Sequence, residues 1–162
     1  MSQVSMQQLQ EYAADSNGKV STPRKGEMFI EIDQAHIMGF ISHVVNDLRI
    51  RLLSTITGLD LGQNFGIIYN FSHEDQKIQV KTTLPKNQPT TVSIVEIVPG
   101  AILYEMEIHD LFGITFTGNP WINLKLLLPD NWPADLPPPL LKSSKPAEIR
   151  KRLHLEVERK NE

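Results

Sequence analysis

The stretch from Tyr104 to Trp132, YEMEIHDLFGITFTGNPWINLKLLLPDNW, admits few local structures. Tyr104, Ile108, Leu111 and Phe112 recur at helical spacing and share one face. Gly113 follows at once, where a helix that must stop needs a residue tolerant of positive φ. Ile114-Thr115-Phe116 then reads as a short extended piece and Gly118-Asn119-Pro120 as a turn. An apolar run, Leu124 to Leu128, ends on Pro129-Asp130-Asn131-Trp132. Glu105 and Glu107 are expected to flank the apolar stripe on opposite edges, with His109 and Asp110 pointing away from it. The simplest reading is a core helix with solvated acids.

The rest of the chain is organised around this stretch. Residues 1–26 are polar and read as an N-terminal arm, either disordered or ordered on a neighbouring chain, although Met6, Leu9 and Ala13 would line one side of a short helix. A compact domain is expected over 27–128. Glu27–Ile32 alternates as a strand with Met28, Ile30 and Ile32 on one side. Asp33 suits an N-cap, and Ile37, Phe40, Ile41, Val44, Val45 and Leu48 follow at helical spacing. Arg49–Ile56 reads as a second strand, residues 58–62 as a loop, and Phe65–Phe71 and Gln76–Leu84 as a hairpin closed at residues 72–75. Thr91–Val98 suits either a strand or a buried connection. From Pro129 to the end, a third region holds six of the eleven prolines, with Pro137-Pro138-Pro139 favouring an extended path. A last helix is expected from Pro146, with Ile149, Leu153 and Val157 as its stripe. The predicted class is α+β: a mostly antiparallel sheet, helices on one face, and a proline-rich C-terminal extension.

Composition closes off several chemistries. A formal charge of -3 gives no basic field for nucleic acid. Without cysteine there is no disulfide, thiolate-held iron–sulfur cluster or zinc–thiolate site. The glycines near residue 60 lack the Gly-Lys-Ser/Thr of a phosphate loop. His36, His43 and Asp47 have ligand-like spacing, but the plainer reading is a solvated helix rim. No apolar run approaches a membrane span, and Met1 opens no signal-peptide pattern. The expectation is a soluble chain on the cytoplasmic side that meets the membrane only through a partner. Glu105 and Glu107 lie two apart on a helix and face away from each other, so neither serves the other as acid or base. They suit docking, through hydrogen bonds from a neighbour's Arg or backbone N–H, or internal pairing with Arg49 or Arg51. Trp121 and Trp132 suit interface anchors or covers for the chain's own core.

Glu-Met-Glu-Ile-His-Asp-Leu-Phe-Gly-Ile (105–114) resembles the ERE-x-x-D-[LM]-F-G-I signature of the 30 kDa subunit family of respiratory complex I. The family's next blocks, G-H-P, an apolar run, L-P-x-D-W and P-L-R-K, are similar to residues 118–120, 128–132 and 139–142. Residues 95–101 resemble the lead-in to the signature, and the likeness covers about Met28 to Lys142. Met106 stands where the family usually has Arg, Asn119 replaces the His of G-H-P, and Asn123 and Lys125 lie where paired arginines are common. These departures point toward relatives in membrane-bound hydrogenase and ferredoxin-linked complexes.

The resemblance implies a cofactor-free docking subunit, not an enzyme on its own, belonging to an oxidoreductase that couples electron transfer to ion translocation. It would pack on the large catalytic subunit, whose site is a quinone pocket or a nickel–iron centre, beside subunits that carry iron–sulfur clusters. Candidate partner-facing residues are Glu105, Glu107, Asp110, Phe112, Pro129, Trp132, Pro139, Leu140 and Leu141, with Gly113, Gly118 and Pro120 structural; the proline tail is expected to lie across the partner. Alternatives are the equivalent subunit of an NADH- or other donor-driven quinone oxidoreductase, or a free-standing binding module or small enzyme using Glu105, Glu107 and His109.

Overall fold

The computed structural model describes residues 6–153. The elements in chain order are α1 (Met6–Asp15), β1 (Lys19–Arg24), β2 (Glu27–Glu31), α2 (Ile37–Ser42), β3 (Leu52–Asp60), β4 (Asn64–His73), β5 (Gln76–Pro85), β6 (Thr90–Val92), α3 (Ala101–Phe112), β7 (Thr115–Thr117) and α4 (Pro146–Arg152). Five strands form one sheet in the order β1-β2-β5-β4-β3. All neighbours are antiparallel except β2 and β5, so the fold is α+β, as the pattern predicts. β6 and β7 make a separate parallel pair.

Alternation fixes which face is covered. Met28 and Ile30 of β2 stand opposite Ile78 and Val80 of β5, which stand opposite Phe71 and Tyr69 of β4. All six are buried. A slip of one residue would turn this set to solvent, so the hydrophobic pattern sets the register. The other face carries polar pairs: Gln79 donates to Asn70 at 2.9 Å, and Lys81 to Glu31 at 2.6 Å.

Gly58 decides how close α3 can come. It lies on the covered face of β3, opposite Ile67. A Cβ there would stand 2.8 Å from the Phe112 ring and 3.3 Å from Ile108 Cγ2. The missing side chain is the seat of α3, and Phe112 continues across to Phe65 in an edge-on contact, centroids 6.4 Å apart. The pattern at residues 58–62 predicts a loop; instead β3 runs through Asp60 and only residues 61–63 turn. Glycine at this point marks a helix packed over a strand rather than a break in it.

Both ends of the chain differ from expectation. Leu9 and Ala13 of α1 are fully buried, and β1 pairs with β2. Tyr12 stacks on His43, centroids 3.9 Å apart. Residues 6–24 are therefore folded onto this domain; the short helix expected from this stripe is present, and what the sequence does not show is that its own domain covers it. The second helical run is also less regular than its spacing predicts. α2 proper ends at Ser42, residues 43–47 form a wider turn, and His43 Nδ1 meets Asp47 Oδ2 at 2.7 Å. Asp33 accepts the His36 N–H through its carbonyl, and its side chain makes no cap.

The proline-rich segment lies across its own domain. Leu136 is buried. The Leu140 N–H donates to the Leu111 carbonyl at 3.0 Å, and the Lys142 N–H to Asp60 Oδ2 at 2.9 Å. Asp60 also accepts from the Gly62 N–H and pairs with Lys86 at 2.6 Å. Lys86 first, then these two backbone donors, hold its carboxyl well below the usual carboxylate range. α4 ends the described chain, with Arg152 on Asp135 at 2.8 Å; Val157 lies outside the described residues.

Gly58→Ala is expected to lower stability by about 1–3 kcal/mol, because the methyl must displace the Phe112 ring. Denaturant unfolding measures this, and pairing the change with Phe112→Leu should recover part of the loss.

Candidate functional site

α3 carries the signature, and two of its three acids, Glu105 and Asp110, are buried where solvated ones are expected. Glu105 is fully buried. Its Oε1 accepts the Ile94 N–H at 2.8 Å; its Oε2 accepts the Ser93 hydroxyl at 2.7 Å and Asn119 Nδ2–H at 2.9 Å. Ser93 Oγ in turn accepts the Val95 N–H at 3.2 Å. Asn119 also donates to the Ile102 carbonyl at 3.1 Å and accepts the Trp121 N–H at 3.0 Å. One carboxylate thus joins residues 93–95 and 119–121 to the helix. Arg49 and Arg51, the partners considered from sequence, take no part among these bonds.

Burial raises the Glu105 pKa, and the hydrogen bonds from Ser93, Ile94 and Asn119 oppose it only in part. Tyr69 shares this interior. Its hydroxyl is buried without a hydrogen-bond partner among the described residues, and desolvation, followed by the Glu105 charge, holds it protonated.

Asp110 does comparable work at the other end of α3. It is 4% exposed, and its Oδ2 accepts three consecutive backbone N–H groups, from Leu126 at 2.8 Å, Leu127 at 2.7 Å and Leu128 at 3.1 Å. The apolar run is therefore no strand. It is a loop folded around a carboxylate, closed by Lys125 Nζ on the carbonyls of Pro129 and Asp130. Because the backbone points inward, side chains point out: Leu124, Leu126 and Leu127 are exposed, as is Trp121.

The remaining signature residues divide by role. Gly113 adopts φ 76°, and its N–H donates to the His109 carbonyl at 2.8 Å. The Ile114 carbonyl can only accept from His109 Nδ1, at 2.9 Å, which puts the imidazole proton on that nitrogen. Gly118 adopts φ 101°, while Pro120 is exposed. Phe112 is half-buried against Phe65 and Gly58. Of the other expected partner-facing residues, Glu107, Pro129 and Leu140 are exposed, Trp132 and Pro139 are half-buried, and Leu141 packs against the core. Glu105 and Asp110, expected to face a partner, are both buried and accept hydrogen bonds from within the chain, Glu105 through both oxygens and Asp110 through Oδ2. In the sequence Asn119 is marked only as a turn residue in place of the family's His, and Ser93 gives no signal of its own; neither points to Glu105.

A cleft of about 380 Å³ lies between this loop and the proline segment, lined by His109, Leu124, Leu128, Trp132, Leu136 and Pro138 among others. Among the described residues, no group of three or more His, Asp or Glu could hold a metal ion. No described helix is long and apolar enough to cross a membrane.

Fold and site together define an α+β domain whose central helix uses its acids to anchor two loops. The pattern of the family described as "Respiratory-chain NADH dehydrogenase, 30 Kd subunit" matches residues 30–149. The chain belongs to this family. It is 32% identical over 136 residues to the C subunit of an NADH-quinone oxidoreductase of Jannaschia sp., covering 77% of this chain and 64% of that protein. It is 28% identical to the corresponding NADH-quinone oxidoreductase protein of Saccharopolyspora erythraea, covering 68% of this chain and 47% of that protein. The chain therefore spans about half to two thirds of the length of these curated relatives. Among solved structures, a chain of the membrane-bound sulfane sulfur reductase, an archaeal respiratory membrane complex, superposes with a TM-score of 0.81 at 21% identity, over 96% of this chain and 92% of that one. A trypsin-resistant fragment of Nqo5 gives 0.63 at 20% identity, over 71% and 97%.

Two outcomes test the roles of the acids. The Glu105 pKa is raised on folding, so the folded state holds its proton more tightly. Stability then falls as pH rises from the ordinary value near 4.5 through the folded pKa. Glu105→Gln should flatten that slope in pH-dependent melts, while costing about 1–3 kcal/mol through the lost Asn119 bond. Asp110→Ala should speed amide exchange at Leu126, Leu127 and Leu128 by about tenfold or more, with little change at Ile94.

Proposed function

We propose that this chain is a cofactor-free docking subunit of a complex I-like membrane oxidoreductase. Its partners are the large catalytic subunit and the cluster-bearing subunits of the same assembly. Iron–sulfur clusters, and a nickel–iron centre where the complex is of the hydrogenase type, belong to those partners. The observation that carries this is the use of Glu105 and Asp110: the signature's two buried acids hold backbone and side chains of their own chain. Placed so, they build shape and perform no bond-making. The chain sits on the peripheral, cytoplasmic side and contributes to ion-coupled electron transfer through assembly alone.

A hydrogenase or ferredoxin-linked complex is the favoured setting. Met106, where the family usually carries Arg, is buried at 3% exposure and has become part of the packing. Asn119, in place of the family's His, gives both amide groups to the helix and its loop. An NADH- or other donor-driven quinone oxidoreductase is the second setting, supported by the names of the curated relatives.

The test is purification of the tagged chain from its own host, with mass spectrometry of what accompanies it and spectra of the chain after dissociation. The expected result is co-purification with oxidoreductase subunits, and no flavin, iron or nickel on the isolated chain. Turnover by the isolated chain, or metal at one per chain after dialysis, would overturn the reading. A nickel-bearing partner supports the first setting, and an NADH-oxidising flavoprotein the second.

A further inference from the structure

The apolar loop and the outer face of α3 form one surface. Two sets of hydrogen bonds set the loop's course. Asn119 reaches the Ile102 carbonyl and holds Trp121 there. Residues 126–128 are held at Asp110. The segment from Asn119 to Leu128 thus runs beside α3 from its first turn toward its last. Leu103, Glu107 and Asp110 stand at i, i+4 and i+7, which is one helix face. Leu103 and Glu107 therefore lie on the face whose far end the loop occupies.

Five of the eight large hydrophobic residues exposed among the described residues belong here: Leu103, Trp121, Leu124, Leu126 and Leu127. Scattered leucines at a surface need no explanation, but five on one face do. The loop bearing four of them is already tied by Asp110 and Lys125, and Leu103 is held on α3, so little ordering cost remains on binding. The cleft beside the loop has room for a large apolar side chain.

Glu107 gives the surface a sign. It is exposed and makes no ion pair or hydrogen bond among the described residues. Lys125, the cation of the loop, is committed to two carbonyls. A carboxylate covered in an apolar contact is costly unless the incoming face supplies a cation. A second copy meeting this face about a two-fold axis would bring the same face, with another Glu107 and a Lys125 already committed to its own carbonyls, and so no free cation. A membrane surface bearing anionic lipid would repel Glu107.

We infer that Leu103, Glu107, Trp121, Leu124, Leu126 and Leu127 are the docking surface for a subunit that presents an apolar face with an arginine or lysine set in it. This rests on the docking-subunit reading above and names where the contact falls. It displaces Glu105, Asp110 and the proline segment from that role; Asp110 becomes the positioning residue that shapes the loop.

The test is co-purification of the tagged full chain from its own host, with its oxidoreductase partners quantified. Three variants are compared with wild type: Leu124→Asp/Leu127→Asp, Glu107→Arg, and Leu52→Asp. Leu52 is 63% exposed at the start of β3 and serves as control. The first two variants should keep their circular dichroism and melting temperature, since all three changed side chains are exposed. Each should recover at least about tenfold less partner than wild type, and Leu52→Asp should recover the wild-type amount. A photo-crosslinker at Leu124 should capture an oxidoreductase subunit. Normal recovery with Leu124→Asp/Leu127→Asp, or a crosslink only to a second copy, overturns the surface while leaving the docking-subunit reading standing. Normal recovery with Glu107→Arg overturns the charge assignment. A wild-type chain that recovers no oxidoreductase subunit overturns both the reading and the surface.

Discussion

Asp110 accepting three successive backbone N–H groups is the contact on which the outer part of this molecule depends. Leu126 to Leu128 cannot pair in a sheet, because no described strand lies beside them. Their donors would face water, and the leucines between them would collapse inward. A single buried carboxylate satisfies all three and reverses the orientation, with backbone in and leucines out. Glu105 does the same for residues 94 and 119, five positions earlier on the helix. The two acids make α3 a spine to which irregular chain is tied on both sides.

That spine is itself located by an absence. Gly58 lets Phe112 and Ile108 lie directly on β3, and β3 is fixed by its register with β4. Sheet alternation thus sets the helix, and helix periodicity sets the acids. The acids in turn set the loops. Gly113, in the left-handed conformation, then turns the chain back so that β7 can pair with β6 and the proline segment can cross the helix end. Asp60, at the end of the glycine-bearing strand, fixes Lys142 and completes the circuit.

The chemistry of the family is thereby separated from the chemistry of this chain. An ionisable group shifted by burial often marks catalysis, but a structural hydrogen-bond network shifts it equally. Glu105 belongs to the second kind: each of its oxygens is committed to a donor from its own chain, and its burial serves the joining of two loops. The face formed by the loop and the outer side of α3 exposes Leu103, Trp121, Leu124, Leu126 and Leu127 beside Glu107. Such a surface has more to give to a partner than to a small substrate.

The alternation of Met28 to Ile32, of residues 65–71 and of residues 76–84 determined the sheet, since period two has one meaning when one face is covered. The spacing of Tyr104 to Phe112 and the placement of Gly113 determined the helix and its stop, and the run from Glu105 to Ile114 carried the family. Tertiary structure alone decided the fate of the acids. Helical spacing reports which residues share a face, but not what chain will later cover that face; Asp110 reads as solvated until residues 126–128 arrive from sixteen to eighteen positions away. The same holds for Gly58, a loop signal until α3 is packed on it, and for Leu9, a minor stripe until it is found buried. The proline segment, legible as extended, had no legible destination, because its hydrogen bonds go to Leu111 and Asp60. Local patterns act over one or two turns of chain, and each of these contacts joins residues that only the completed fold brings within bonding distance.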